Sequence, residues 1–351
     1  MAARISLFSH KGGVSKTTTT FNLGWMIASK GKRVVLVDCD PQCNLTAMIL
    51  GFKGAVDFES LYTQPGILDI RDALAPAFES RPSPIVAPEC QEVPGQPNMF
   101  LLPGHIGLAE YEVTLGIAQE LSGSLPTLQN LPGSISYMLE ETAKKYEADY
   151  LLIDMSPSIG PMNQNLLMTS DYFLVPMAPD YFSVMATDSL ASILPRWRAW
   201  SVKAQQQTVL QKAIYPYPVK NPKFLGTIIQ KYRPRDGRPA RPFQAWIDQI
   251  EDAIKTTLLP VLRKNNMLLP DEVYANNGIQ PEKPILQMSD FNGLIALSQQ
   301  HQSPIFDLTD QQLDQSGVVL ERTKASMNEF RRLYSEAADK IIAMTTHANG
   351  A

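Results

Sequence analysis

Residues 5–20 decide the fold of this chain: Ile5-Ser6-Leu7-Phe8 is followed by Ser-His-Lys-Gly-Gly-Val-Ser-Lys-Thr-Thr-Thr-Thr. The short apolar run predicts a buried strand, and the glycine-bearing loop after it leads directly into a helical pattern. Backbone N–H groups of such a loop and of the following helix N-terminus converge on an anion. The stretch therefore predicts a strand, a phosphate-binding loop and a helix.

The residue types of this loop indicate a nucleotide rather than any anion. Lys16 supplies a positive charge for the outer phosphates, and the Thr17 hydroxyl can ligate Mg²⁺. The loop departs from the strict pattern G-x-x-x-x-G-K-[ST], because His10 and Ser15 occupy its two glycine positions. A plain glycine turn would not explain the lysine and the hydroxyl. The residues expected to bind the nucleotide are Lys11, Gly12, Gly13, Val14, Ser15, Lys16, Thr17 and Thr18.

Three carboxylates follow apolar runs that are predicted as strands. Asp38 and Asp40 follow the run 33–37, and Asp154 ends the run 150–154. The carboxyl ends of strands in an open α/β sheet converge on the ligand crevice. Carboxylates beside a triphosphate repel it unless a divalent cation lies between them. The alternative, open at this stage, is that each Asp caps the helix that follows it.

With these residues in place, the chain resembles the ParA/MinD-type ATPases, and most closely the ParA branch, which positions DNA or other cargo. The loop has the deviant Walker A form of that family, with a second lysine, Lys11, before its glycines. The matching stretches are Lys11–Thr18, Val37–Asn44, Leu102–Glu110, Leu151–Gly160 and Val175–Ser183, extended more weakly by Gly226–Gln230 and Pro304–Asp307.

The resemblance implies an Mg²⁺-dependent ATPase that closes into a homodimer around ATP. Thr17 is then expected to ligate the metal, with Asp38 and Asp154 holding it through water. Asp40 is expected to orient or deprotonate the attacking water. Lys11 is expected to reach across the dimer interface to the partner's phosphates, as arginine fingers do in other ATPases.

Two positions extend or modify this expectation. If the slot of Ser15 requires a positive φ, serine costs about 1 kcal/mol relative to glycine, so we expect ATP binding with slow hydrolysis. Gln230 follows a predicted strand, where the family often has an asparagine that reads adenine, and glutamine carries the same donors and acceptors. A solvent-facing strand end is the alternative for Gln230.

The alternation of strands and helices predicts an α/β fold: a doubly wound, mostly parallel sheet with helices on both faces, of the P-loop NTPase (SIMIBI) kind. We expect one ParA-like domain over residues 1–351. Within it lie a Pro-rich insertion at 54–98, irregular over 76–97, a basic segment at 196–241 and a C-terminal helix at 318–345 that docks on the domain. Residues 243–302 are expected to be helical with loops.

The basic segment contains eleven basic residues and one acid, Asp236, in a chain of net charge −4. Such clustering predicts salt-sensitive binding of nonspecific double-stranded DNA, and a solvated surface is the alternative. The residues expected to contact DNA are Arg196, Arg198, Lys223, Lys231, Arg233, Arg235, Arg238 and Arg241.

Composition narrows the function classes. No apolar run approaches 18 residues and no signal peptide precedes the first strand, so we expect a cytoplasmic protein, nucleoid-associated when it holds ATP. The three cysteines fit a reducing compartment.

A ParB-like or adaptor protein is expected to stimulate hydrolysis. A MinD-like membrane ATPase is less favoured, since the helix at 320–344 has five basic and four acidic residues. A small-molecule ligase or kinase stays open.

Overall fold

The computed structural model describes residues 2–121, 125–235, 238–291 and 293–349. Two expectations therefore extend beyond it. Asp236 of the basic segment and the outermost residues of the single domain 1–351 lie outside the described residues.

A sheet of eight strands crosses the described part of the molecule. Its strands are β1 (Ala3–Leu7), β2 (Val34–Cys39), β3 (Gln91–Glu92), β4 (Met99–Leu102), β5 (Tyr150–Met155), β6 (Tyr172–Met177), β7 (Lys223–Tyr232) and β10 (Pro284–Ser289), while β8 (Pro234–Arg235) and β9 (Arg238–Pro239) form a separate hairpin. The spatial order is β10-β7-β6-β1-β5-β2-β4-β3. All neighbours in the sheet are parallel except the short antiparallel pair β3–β4.

Helices connect these strands. They are α1 (Lys16–Ser29), α2 (Asn44–Leu50), α3 (Ala55–Tyr62), α4 (Ile70–Phe78), α5 (Leu108–Leu121), α6 (Leu131–Lys145), α7 (Pro161–Met168), α8 (Tyr181–Gln206), α9 (Thr208–Gln211), α10 (Arg241–Ala253), α11 (Leu259–Lys264), α12 (Asp271–Asn276), α13 (Leu294–His301), α14 (Asp310–Leu313) and α15 (Gly317–Asn349). A 3₁₀ turn lies at Pro126–Leu128, and a π-helical turn at Ile254–Leu258 joins α10 to α11.

The helices pack in two layers that cover the two faces of the sheet. One layer contains α1, which packs against α2 and α15, and the other contains α4 to α8 with α10 and α11. The strands β1, β2, β5 and β6 are buried along their whole length. Strands covered on both faces need continuous apolar runs, as these sequences have. The predicted doubly wound, mostly parallel fold is confirmed.

The strand register places the three predicted motifs at one edge. Leu7, the last residue of β1, lies opposite Asp154 of β5, and Asp154 lies opposite Asp38 of β2. Because these strands are parallel, the loop after β1 and both carboxylates share the carboxyl edge of the sheet. The central position of β1 thus sets the nucleotide loop beside two acidic strand ends.

Two regions are more regular than the sequence predicts. The insertion at 54–98 contains α3 and α4, and Pro76, expected to lie in irregular structure, lies inside α4. The insertion is also anchored, because the Tyr215 hydroxyl accepts a hydrogen bond from the Ile85 backbone N–H at 2.8 Å. Residues 243–302 include the edge strand β10, which begins at Pro284. A proline tolerated at the start of an edge strand hides it from sequence patterns.

The C-terminal helix α15 packs on α1 and β10. Its apolar stripe is buried, and consists of Met327, Phe330, Tyr334, Ala337 and Ile341. The Lys30 ammonium of the loop after α1 pairs with Asp339 at 2.8 Å. None of the helices in the described ranges is long and apolar enough to cross a membrane.

Candidate nucleotide site and basic hairpin

The loop between β1 and α1 has the backbone of a phosphate-binding loop. Gly13 and Ser15 both adopt left-handed conformations, with φ of 73° and 58°. A Cβ atom added at Gly12 or Gly13 would meet nothing within 4 Å, so open space lies beside both glycines. Ser15 begins α1 without a capping hydrogen bond from its hydroxyl, which is buried and has no partner among the described residues. The slot at Ser15 therefore has the positive φ on which the expected cost depends.

We expect Ser15→Gly to raise the free energy of unfolding by about 1 kcal/mol, because glycine adopts this conformation without steric strain. We also expect faster ATP turnover. The matched control is Ser80→Gly, since Ser80 is exposed, lies outside the site and has φ of 52°. Chemical denaturation and steady-state phosphate release measure the two effects. Equal or lower turnover in Ser15→Gly would reject Ser15 as the brake on hydrolysis.

Lys16 lies inside the loop rather than in solvent. Its side chain is buried and its ammonium donates to the Ser9 carbonyl at 3.4 Å. Burial lowers the pKa of Lys16, and the nearby carboxylates of Asp154 and Asp40 oppose that change. The long, weak bond to Ser9 leaves the ammonium able to exchange this partner for a phosphate oxygen.

Asp154 is a buried carboxylate without a hydrogen bond of normal geometry. Both of its oxygens lack a partner among the described residues. Burial, and then the charge of Asp38, raise the pKa of Asp154 to about 7, while the nearby Thr17 hydroxyl and Lys16 act in the opposite direction. An unpartnered buried carboxyl group is costly. Its oxygens, with the Thr17 hydroxyl, fit the hard oxygen ligands and ligand-held waters that Mg²⁺ prefers.

Asp38 accepts hydrogen bonds from Asp40, a predicted site residue, and from Thr46, which the sequence did not indicate. The Thr46 backbone N–H and hydroxyl donate to one carboxylate oxygen at 2.8 and 2.7 Å, and the Asp40 N–H donates to the other at 3.2 Å. Burial raises the pKa of Asp38 to about 6 despite these bonds. A Cβ added at Gly104 would lie 3.0 Å from the Asp38 carboxyl carbon. Gly104 was within a stretch that matched the family, but Thr46 carried no signal.

Asp40 directly follows β2 at the carboxyl edge of the sheet and is buried, with 7% of its surface exposed. One of its oxygens accepts a hydrogen bond from the Gln42 backbone N–H at 3.0 Å. Its charge opposes the lowering of the Lys16 pKa. The carboxylate thus keeps acceptor capacity for a water molecule beside the phosphate loop.

Lys11 is engaged within its own chain. Its ammonium forms an ion pair with Asp180 and lies 5.8 Å from the centre of the Phe182 ring. Asp180 is also the N-cap of α8, where it accepts a hydrogen bond from the Ser183 N–H at 3.0 Å. The sequence Asp-x-x-Ser at 180–183 identifies the cap, but not the ion pair with Lys11. Any contact of Lys11 with a second subunit requires that it leave Asp180.

Gln230 does not lie at the surface. Its side chain is fully buried and its amide nitrogen donates to the Thr19 hydroxyl of α1. The solvent-facing alternative is therefore wrong, because β7 is covered here by α1. The amide nitrogen turns toward the helix, while the amide oxygen is buried without a hydrogen-bond partner among the described residues, so a contact of Gln230 with adenine stays a prediction.

The basic segment does not form one face. Lys223 begins β7, where its ammonium donates to the Asn266 carbonyl at 2.6 Å, and Arg198 donates to the Lys220 carbonyl at 3.2 Å. Lys231 is at the other end of β7, about 25 Å away at ~3.3 Å per residue. Its ammonium donates to the Gly13 carbonyl at 2.7 Å. Two residues predicted to contact DNA, Lys223 and Arg198, thus lie near the edge of the sheet remote from the phosphate-binding loop. A third, Lys231, contacts that loop.

The other arginines surround the hairpin β8–β9, which follows β7 at the carboxyl edge. They are Arg233, Arg235, Arg238 and Arg241. All four are exposed, and none of them forms an ion pair with a described acidic residue. Arg196 is exposed on α8, about 22 Å from the start of that helix. We refer to the described residues 233–235 and 238–241 as the basic hairpin.

Comparisons with known proteins agree with this geometry. Residues 2–203 match the family model described as an AAA domain, which is more than half of the chain. The chain is 30% identical over 193 residues to the sporulation initiation inhibitor protein Soj of Bacillus subtilis, covering 54% of this chain and 64% of Soj. It is 30% identical over 197 residues to the chromosome-partitioning ATPase Soj of Thermus thermophilus, covering 56% and 63%. The match thus spans less than two thirds of the length of these curated relatives.

Two solved structures share the fold over nearly the whole chain. The ParA of pNOB8, bound to nonspecific DNA, superimposes with a TM-score of 0.55 and 17% identity, covering 99% of both chains. A Cyanothece McdA–ATP complex gives a TM-score of 0.54 and 16% identity, covering 93% of this chain and 96% of McdA. Identities this low show a common fold only.

Proposed function

This chain belongs to the AAA-domain family of ParA/MinD-type P-loop ATPases, and we propose that it is an ATP-dependent dimerising switch that binds DNA nonspecifically and positions a DNA or protein cargo. The observation that carries the proposal is the shared edge of the sheet. A loop with a buried lysine, and a buried carboxylate that has no hydrogen-bond partner in the described part of the chain, lie at the edge where an exposed basic hairpin follows β7. In this proposal the nucleotide-binding site and the DNA-binding surface lie at the same edge of the sheet.

In the nucleotide site, the loop amides and Lys16 would bind the phosphates of ATP. Thr17, Asp38 and Asp154 would hold Mg²⁺, which neutralises the triphosphate charge when bound. Asp40 orients the attacking water and accepts its proton, since it keeps acceptor capacity at the carboxyl edge of the sheet. The DNA-bound ParA and the ATP-bound McdA that share this fold are consistent with both halves of the proposal.

The dimer is proposed because the family resemblance gives Lys11 a role across a subunit interface. In the free chain this lysine is paired with Asp180, so it contributes nothing to the phosphates of its own site. A second subunit that presents a triphosphate offers a stronger anionic partner than one carboxylate. Lys11 then completes the partner's site, and the two basic hairpins become one composite surface.

DNA binding is proposed for the basic hairpin alone, not for the whole basic segment. Its arginines are exposed and follow a strand that ends at the nucleotide loop. Contacts between arginine and phosphate are independent of base sequence. They weaken as the salt concentration rises, because the release of counterions from DNA then contributes less to binding. A partner such as a ParB-like or adaptor protein would then stimulate hydrolysis and release the DNA.

The structure does not favour the alternative of a MinD-like membrane ATPase. A MinD-like anchor needs an exposed amphipathic helix, but the apolar stripe of α15 is buried against α1 and β10. The ligase or kinase alternative is separated by experiment, because such an enzyme has no reason to retain duplex DNA.

The test is retention of a random-sequence DNA duplex in the presence of ATP and Mg²⁺. We expect retention with ATP and its loss with ADP or no nucleotide. The double variant Arg235→Glu/Arg238→Glu should weaken binding at least tenfold and reduce the salt dependence, because repulsion replaces phosphate contacts. Lys223→Glu is the matched control, since Lys223 lies at the other end of β7 and should leave affinity within twofold. Retention that is equal with and without ATP would contradict the switch.

A further inference from the structure

We propose that the carboxyl end of β7 is a two-point clamp on the phosphate-binding loop. In this clamp Gln230 and Lys231 are positioning residues for the loop, neither an adenine reader nor a DNA contact. The inference rests on the proposed ATP site and assigns its geometry to two neighbouring residues of a strand that is distant in sequence.

The exposed point of the clamp is Lys231. Its ammonium donates to the carbonyl oxygen of Gly13 at 2.7 Å, across 218 positions of sequence. The backbone of Lys231 has a φ of 70°, which is unusual for a residue with a side chain. Strained backbone of this kind persists where surrounding contacts compensate for it, and it is concentrated at functional sites. Here it coincides with a side chain that turns back onto the loop.

The buried point of the clamp is Gln230. Its amide nitrogen donates to the Thr19 hydroxyl, and that hydroxyl donates to the Ser15 carbonyl at 2.8 Å. The Thr19 backbone N–H also donates to the Ser15 carbonyl, at 2.9 Å. The relay therefore fixes the position where the loop becomes helix α1. Consecutive residues of β7 thus hold the loop at Gly13 directly and at Ser15 through Thr19.

Fixing these carbonyls determines where the loop N–H groups point. In a trans peptide the carbonyl and the following N–H lie on opposite sides of the bond. With the Gly13 carbonyl drawn toward Lys231, the Val14 N–H points the opposite way, away from Lys231. A phosphate-binding loop works through N–H groups that are oriented before the anion arrives. Lys231 and Gln230 supply that orientation without touching the nucleotide.

The first test compares Lys231→Met with Lys231→Arg and with the matched control Lys223→Met. We expect Lys231→Met to raise the Kd for ATP and Mg²⁺ about tenfold by calorimetry, because a charge-assisted hydrogen bond to the loop is lost. Lys231→Arg, which keeps a donor, should stay within threefold, and Lys223→Met should match the unaltered chain. The melting temperature without nucleotide should fall by only a few degrees, since Lys231 is exposed and one hydrogen bond contributes about 1 kcal/mol.

Measuring DNA affinity distinguishes the clamp from the DNA contact that the charge distribution predicts for Lys231. At saturating ATP, Lys231→Met should retain DNA affinity and its salt dependence. An unchanged Kd for ATP, with a salt slope reduced by about one unit, would make Lys231 a DNA contact and overturn the clamp. Absence of ATP binding by the unaltered chain would instead contradict the proposed function itself, and with it the clamp.

The second test uses Gln230→Met, which keeps the buried volume and removes the donor to Thr19. A clamp orients the loop for any nucleoside triphosphate, so the affinities for ATP and GTP should fall by the same factor. A residue that reads adenine would lose affinity for ATP only. A changed ratio of the two affinities therefore overturns the positioning role of Gln230, and a change in the unfolding midpoint without nucleotide reports any loss of packing separately.

Discussion

Asp40→Ala should lower ATP turnover at least hundredfold while ATP still binds, and the ATP-bound dimer should persist instead of decaying. Removal of a general base or water-orienting group typically costs factors of about 10²–10⁴ in rate. The loop and Lys16 bind the phosphates without Asp40, so affinity should change less than threefold. Single-turnover hydrolysis, calorimetry and size-exclusion chromatography with ATP measure the three quantities.

The control for this prediction is Asp40→Asn. The asparagine oxygen can still accept the hydrogen bond from the Gln42 N–H that Asp40 accepts at 3.0 Å, so the local backbone is retained. The amide cannot take a proton from water, so its turnover should be as low as that of Asp40→Ala. Turnover within threefold of the unaltered chain in the asparagine variant would show that Asp40 does not act by accepting a proton from water.

The sequence predicts the elements of this fold well because the signals are local. The loop before Lys16 and the carboxylates at the ends of β2 and β5 were placed correctly, since each motif directly follows an apolar run. From the sequence, the left-handed backbone of Ser15 is only a condition, suggested by the glycine at that position of the related pattern, and the structure meets it with a φ of 58°. The fold then brings these motifs together through the rule that parallel strands share their carboxyl edge.

The partners of these residues could not be predicted in the same way. Asp180 is 169 positions from Lys11, and Lys231 is 218 positions from Gly13. Neither pair leaves a periodic signal, because each depends on how two distant loops end at one edge. The charge count grouped Lys223 with Lys231, although the length of β7 separates them. A run of basic residues in the sequence therefore does not predict whether their side chains lie on one face of the folded protein.

Lys11→Ala should abolish the ATP-induced dimer and reduce turnover at least a hundredfold, because the partner's phosphates lose the cation that completes their site. Cations supplied in trans to phosphoryl transfer contribute factors of about 10³–10⁵ in rate. ATP binding to the single subunit should change little, since Lys11 is paired with Asp180 there. Sedimentation with and without ATP measures the dimer, and calorimetry measures the binding.

The informative control is Asp180→Asn, which tests the pairing from the other side. Asparagine is as good an N-cap as aspartate, so α8 should begin normally and the melting temperature should hold. Without the carboxylate, Lys11 no longer leaves an ion pair to reach a second subunit. The dimer should then form at a severalfold lower protein concentration with ATP, since even an exposed ion pair contributes a few tenths to 1 kcal/mol. If Asp180→Asn instead weakens the dimer as Lys11→Ala does, the aspartate belongs to the interface, and the ion pair does not restrain Lys11.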